Sequence, residues 1–199
     1  MISTCPDIAF AVTNLSQFCT NPSEDHYKAA LHICHYLVGT QDYKLVYSKT
    51  GDKGLVAYLD SDWAANKTRC QSVTGNFFKL AGGIICWWSY AQKSVALSSP
   101  EAEYMAISDC SRQAVWIKTL IEEIGFQLKA VPIFGDNQGS IFISSNAIQE
   151  KQIDIHYHYI HKLIGAKQVD LYFVPGEMNP INIFTKNLAK CWMSSYKVV

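Results

Sequence analysis

Apolar residues recur at helical spacing over residues 6–18 (Ile8, Val12, Leu15, Phe18), with Thr4 as the expected N-cap and Pro6 in the first turn. A second helix is predicted over 23–37, with Tyr27, Leu31, Cys34 and Val38 on one stripe and Gly39 placed to end it. An αα unit of about 40 residues cannot easily stand alone, so another surface must cover these apolar faces. The period then changes. Short strands are expected near 44–47 and over 55–59, around the turn Gly51-Asp52-Lys53-Gly54. The second is apolar at every position, which suits a central strand buried on both faces, and it is expected to stop at Asp60. Residues 72–80 and 84–89 read as a hairpin through Ala81-Gly82-Gly83. A long helix follows over 100–124, capped by Ser98 or Ser99 and ended by Gly125. The remainder reads as a strand over 131–135, helices over 137–145 and 153–167, a strand over 169–174 and a last helix over 180–188. A meander followed by βα units predicts an α/β fold, a mixed sheet flanked by helices and preceded by a two-helix N-terminal arm.

Within that pattern three carboxylates stand where apolar or solvated neighbours are expected. On the long helix, Glu103 heads a face otherwise made of Ala106, Ile107, Cys110, Ala114, Ile117 and Ile121, whereas Glu101 falls on the solvent side with Ser108 and Arg112. A carboxylate on a core face is costly unless paired or bound to a metal, although acidic residues also serve the helix dipole in a first turn. Asp60 and Asp136 each follow an apolar strand, and the carboxyl ends of strands are where α/β sheets form sites. Carboxylates without Cys or His suit a hard cation, Mg²⁺ or Mn²⁺, and point to metal-assisted phosphodiester hydrolysis.

Composition narrows the setting. The chain has 199 residues, 49% of them apolar, which excludes general disorder. Its apolar runs are about five residues long against the roughly 20 that a membrane span needs, and no secretory leader is read at the N-terminus. No membrane partner and an intracellular location, cytoplasm or nucleus, are therefore expected. Seventeen basic residues balance seventeen acidic ones, which argues against binding by bulk electrostatics while leaving room for a local basic track. Seven cysteines are scattered without a Cys-x-x-Cys pair and read as reduced, mostly buried thiols.

At the carboxylates the sequence becomes familiar. Tyr58-Leu59-Asp60-Ser61-Asp62-Trp63-Ala64, Val95-Ala96-Leu97-Ser98-Ser99-Pro100-Glu101-Ala102-Glu103-Tyr104-Met105-Ala106, Gly135-Asp136-Asn137-Gln138 and Ile153-Asp154-Ile155-His156-Tyr157-His158-Tyr159-Ile160 closely resemble the ribonuclease H domain of copia-type LTR retrotransposon Pol polyproteins. Ser72-Val73-Thr74-Gly75 and Phe173-Val174-Pro175 continue the match, and Pro6-Asp7-Ile8-Ala9-Phe10-Ala11-Val12 with Leu15-Ser16-Gln17-Phe18 resembles the segment joining reverse transcriptase to ribonuclease H. The resemblance divides the chain into a truncated connection (1–50), a ribonuclease H-like domain (51–188) and a tail (189–199). It implies a site in which four acidic residues hold two Mg²⁺ (or Mn²⁺) ions and cut the RNA strand of an RNA/DNA hybrid, with a reverse transcriptase domain as partner in cis or in trans. Carried over by position, the first three are Asp60, Glu103 and Asp136. The fourth falls in Ile181-Asn182-Ile183-Phe184-Thr185-Lys186, where the family pattern has Asp and this chain has Asn182.

An amide still offers an oxygen but no charge, so weakened binding of one metal and sharply reduced cleavage are expected. Glu177, the nearest other carboxylate, matches a non-catalytic position. Cys70-Gln71 and Gln152 also depart from the family pattern, and with a chain that starts in mid-polyprotein the picture is of a decaying genomic copy. The alternatives are a non-catalytic nucleic-acid-binding module and a transposon fragment without selected function. Lys67, Arg69, Lys93 and Lys186 flank the site and are the candidate nucleic-acid phosphate contacts, against a reading as solvated charges. For most of Trp63, Trp87, Trp88 and Trp116 core packing fits better than base stacking, and His156, His158 and His161 beside Asp154 fit a family helix better than a zinc site.

Overall fold

The computed structural model describes residues 4–49, 54–66, 71–145 and 154–186, without the side chains of 66, 143–145 and 154–157. A 3₁₀ turn (Pro6–Ile8) leads into α1 (Ala9–Ser16) and α2 (Glu24–Gly39). Strands β1 (Val56–Asn66), β2 (Gln71–Leu80) and β3 (Gly83–Ala91) form the meander, followed by α3 (Ser99–Glu123), β4 (Val131–Gly135), α4 (Gln138–Ser145), α5 (Asp154–Gly165) and β5 (Val169–Phe173). The sheet order is β3-β2-β1-β4-β5, with β1 antiparallel to β2 and parallel to β4. The mixed sheet, the flanking helices and the N-terminal helical region match the expected architecture.

One face of the sheet is closed by α3. Leu55, just before β1, and Ala57 and Leu59 within it alternate inward and meet Phe78, Ile133 and the expected stripe of α3, from Ala106 and Ile107 through Ile121. Ser98 caps α3 by accepting the Glu101 N–H, and Gly125, at φ +99°, ends it. Helices α4 and α5 cover a second flank of α3, so Ser108, expected at the solvent side, is buried, as is Ser111. Glu101 stays off the core and accepts the Leu97 N–H at 2.7 Å.

The other face is covered from both ends of the chain. Ala9 from α1 and Ile181 and Phe184 from a 3₁₀ turn (Pro180–Phe184) pack on Phe77. Across the same face runs a row of stacked rings, Phe77, Tyr58, Phe134 and Tyr172, one from each of β2, β1, β4 and β5, with centroids 5.0 to 5.4 Å apart. Offset stacking adds to the area these rings bury.

Several expectations are corrected. Strand β1 does not stop at Asp60: β2 keeps pairing with it (Asp60↔Gly75, Ser61↔Thr74, Asp62↔Val73) before a bulge at which Ala64 takes φ 51°. Residues 44–47 are not a sheet strand, because β1 already has β2 and β4 as neighbours. They lie over the end of the hairpin, where Tyr47 Oη donates to the Ile84 carbonyl and Ser48 N–H to the Ala81 carbonyl. The tight turn itself uses positive φ at Ala81 and Gly82, while Gly83 opens β3 and leaves room for the Tyr47 ring. Cys5, not Thr4, sits at the first N-cap, and no side chain caps that turn. Within the described residues the expected helix over 180–188 is only the short 3₁₀ turn, capped by Asn179 Oδ1 and drawn onto the sheet where Ser89 Oγ donates to the Phe184 carbonyl that a helical ladder would use. Helix α2 forms as expected, with Ser23 and His26 in a reciprocal capping box, but none of its residues is buried and its apolar stripe is in solvent. The turn at 51–53, residues 67–70 and 146–153 and everything past 186 lie outside the described residues, and with them Gln152 and the whole of the expected tail.

Candidate metal centre

The cluster is built where β1 parts from β4. Their parallel pairing covers Ala57↔Ile133 and Tyr58↔Phe134, and the same register carried two residues on brings Asp60 level with Asp136. Beyond that point β1 stays paired to β2 on one edge, and on the edge that faced β4 its backbone is satisfied by side chains. Asn179 Nδ2 donates to the Leu59 carbonyl at 3.0 Å, and the Ser61 N–H donates to Glu103 Oε1 at 2.8 Å. The first turns of α3 thus deliver Glu103, only 3% exposed, to the same place. One carboxylate oxygen from each of Asp60, Glu103 and Asp136 lies within 4.8 Å of the others.

Each carboxylate is held differently. Asp60, 2% exposed, accepts at Oδ2 a short hydrogen bond from Thr185 Oγ1 and a contact from Lys186 Nζ at 3.2 Å. Glu103 Oε2 is buried without a hydrogen-bond partner. Asp136, just past the end of β4, faces Gly176, where a Cβ would stand 2.9 Å from Oδ2, so a larger residue there would push the carboxylate aside. Burial raises the Glu103 pKa well above the carboxylate range, with the charges of Asp60 and Asp136 adding to it and the Ser61 N–H and Lys186 opposing. Asp136 is raised by burial and by Asp60, and Asp62 by burial, with Lys186 opposing in both. Burial works against the Lys186 ammonium, but Asp60, Asp136 and Asp62 carry its pKa above the ordinary lysine value.

An oxygen-only donor set, three like charges held together and an orphaned, buried carboxylate oxygen fit a hard divalent cation. Asp60, Glu103 and Asp136 would hold it. The cation would supply charge for neutralising the cluster and, in a hydrolase, for activating water.

The other expected residues divide. Asn182, 7% exposed, donates from Nδ2 to the Gly176 carbonyl at 2.8 Å and accepts at Oδ1 from Lys186 Nζ at 3.3 Å. It therefore reaches the cluster through the ammonium that also touches Asp60. Lys186, expected as a phosphate contact, is here the partner of Asp60. Lys93 is exposed beside Gln92, whose buried Nε2 donates to Thr74 Oγ1 and to the Ala102 carbonyl. Lys67 and Arg69 lie outside the described residues. Trp87 and Trp88 are half-buried on β3, but Trp63 and Trp116 are largely exposed, at 48% and 61%, against the expectation of core packing. Thr185, Gly176 and Asn179 were not anticipated. A signal existed at Gly75, in mid-strand, where a Cβ would meet Thr185 Cγ2 at 2.7 Å: a glycine inside a strand marks the close approach of another backbone.

Known proteins carry a related sequence. The chain is 35% identical over 189 residues, 94% of its length, to the retrovirus-related Pol polyprotein from transposon TNT 1-94 of Nicotiana tabacum. The chain belongs to the copia-type Pol polyprotein family. This Pol segment spans 14% of the length of that relative. It is also 44% identical over 117 residues, 59% of the chain and 82% of the relative, to secreted RxLR effector protein 161 of Plasmopara viticola. In structure the Pol segment is similar to the N-terminal RNase H domain of a Mycobacterium tuberculosis protein, with a TM-score of 0.50 and 13% identity over 73% of this chain and 96% of that one. The fold is therefore RNase H-like. No protein-family model matches the chain.

Proposed function

We propose that this Pol segment is a divalent-metal-dependent ribonuclease H module that hydrolyses the RNA strand of RNA/DNA hybrids, with turnover lowered by Asn182. The observation that carries the reading is the convergence of Asp60, Glu103 and Asp136 with one Glu103 oxygen buried and unpaired. An RNase H-like fold and membership of the Pol family support it. So does the division of labour among the carboxylates, since phosphodiester hydrolysis needs a cation to activate water and to stabilise the leaving oxygen, and the cluster offers the ligands for it. On this reading Asp60, Glu103 and Asp136 are metal ligands and Asn182 occupies the fourth position without its charge. Lys67, Arg69 and Lys93 are phosphate contacts, and residues 1–50 form the joint to a polymerase domain in cis or in trans, inside the cell.

The test is cleavage of an end-labelled RNA/DNA hybrid in Mg²⁺ and in Mn²⁺ by the protein, by Asp60→Asn and by Asn182→Asp. The expected result is slow cutting of the RNA strand that Asp60→Asn abolishes and Asn182→Asp accelerates. Hybrid binding without cutting by any of the three would replace this reading with that of a non-catalytic binding module. Neither binding nor cutting would remove both.

A further inference from the structure

Resting on the reading that the cluster binds divalent cations, we propose that the Lys186 ammonium is a built-in cation that fills one of the two cation positions, so that this chain takes up a single divalent ion. The cluster is visibly divided. On one side, Asp60 Oδ2 is engaged twice, by Thr185 Oγ1 and by Lys186 Nζ, and the same Nζ lies 3.3 Å from Asn182 Oδ1. A cation shared between Asp60 and residue 182 would sit where that nitrogen already is. On the other side, Glu103 Oε2 is buried and has no hydrogen-bond partner, and a Glu103 carboxylate oxygen lies within 4.8 Å of Asp136 and Asp60. That half is open, and it is where one ion fits.

The backbone keeps the ammonium in place. The Lys186 N–H donates to the Asn182 carbonyl at 2.9 Å, which puts the two side chains one turn apart on the same side of the segment. Gly75 lets that segment lie close against β2, and Ser89 Oγ ties it down by donating to the Phe184 carbonyl at 2.7 Å. Asn182 is matched to this arrangement at both ends of its amide, donating to the Gly176 carbonyl and accepting from Lys186. A carboxylate at 182 could not donate to Gly176.

Lys186 is thus a positioning residue, and its test is ion stoichiometry. Mn²⁺ would be titrated calorimetrically, and by the loss of the free-ion paramagnetic resonance signal, into the full chain and into Lys186→Met, Lys186→Arg and the double variant Lys186→Met with Asn182→Asp. Circular dichroism of each would confirm folding. The expected result is one ion in the native chain and in Lys186→Arg, a second and weaker ion in Lys186→Met, and two ions in the double variant, the second bound at least tenfold more tightly than in Lys186→Met. Two ions in the native chain, or one in every folded variant, would overturn the Lys186 assignment and leave the metal reading intact. No ion in any of them would overturn both.

Discussion

Helices α2 and α3 are both marked in the sequence by an apolar stripe at helical spacing, yet their fates are opposite. The α3 stripe is buried from Ala106 to Ile121 against the sheet, whereas on α2 Tyr27, Leu31, Cys34 and Val38 all remain in solvent. The α2 helix is held instead by local devices: the Ser23–His26 capping box, exposed pairs of Lys28 with Glu24 and Asp25, and one longer tie from Tyr36 Oη to Asp7 Oδ2 at 2.6 Å. Periodicity therefore announces a helix and the direction of its apolar face, but the partner that covers that face is a separate fact. For α3 the partner is the adjoining sheet. For α2 the described residues supply none.

The contrast can be attacked from its strong end first. Ile107→Ala, in the centre of the α3 stripe, should cost about 2–5 kcal/mol, because the site is enclosed by β1 and β4 and cannot collapse onto the missing atoms. Urea denaturation reads it directly, and a loss as small as that of a surface change would contradict the packing described. Next comes Gly75→Ala. The added methyl would stand 2.7 Å from Thr185 Cγ2 and 2.9 Å from Phe184 Cβ, so the segment carrying Asn182 and Lys186 must move away, at about 1–3 kcal/mol. Its signature is weaker Mn²⁺ binding together with a lower denaturation midpoint.

Glu103→Gln sharpens the comparison by removing the carboxylate buried at the head of the α3 stripe. The folded-state pKa of Glu103 is raised by burial first, then by Asp60 and Asp136. A raised value means that its contribution to stability is fully present below the unfolded pKa, about 4.3 for Glu, and is lost as pH climbs through the folded value. With chelator present, the native chain should therefore lose stability from acid toward neutral pH relative to Glu103→Gln, and urea midpoints over a pH series should diverge. Parallel curves would be the contrary result. Smallest of all is Leu31→Ala on α2, which should stay within about 0.5 kcal/mol because the side chain is already exposed. A large loss would mean that the stripe is covered in solution.

Much of the centre was readable beforehand, because its cost is visible in one dimension: Glu103 interrupts an apolar helix face, and Asp60 and Asp136 end apolar runs. Asp60 departs from that simple picture. It ends the apolar run but not the strand, and its real position is the point where β1 leaves β4 while still paired to β2. Sequence spacing cannot express a strand with two neighbours of different length. The C-terminal segment was the least legible part. Asn179, Asn182 and Thr185 spend their side chains on backbone groups and on Asp60, so local propensity favoured a helix that these long-range bonds displaced. The hairpin and α3 were legible because their signals, two positive-φ positions and a Ser cap, are local.

The parallel seam between β1 and β4 rests on just the two pairs Ala57↔Ile133 and Tyr58↔Phe134, while the ring row crosses it through Tyr58 and Phe134. Within the sheet, β1–β3 and β4–β5 are thus joined by a short stitch and a pair of stacked rings, while α3 packs across both. Amide hydrogen exchange should resolve them as separate opening events, with β4 and β5 exchanging together. Asp60 lies in one half and Asp136 just past the end of β4 in the other, so a cation gripping both would act as a rivet across the seam and slow the opening of each half.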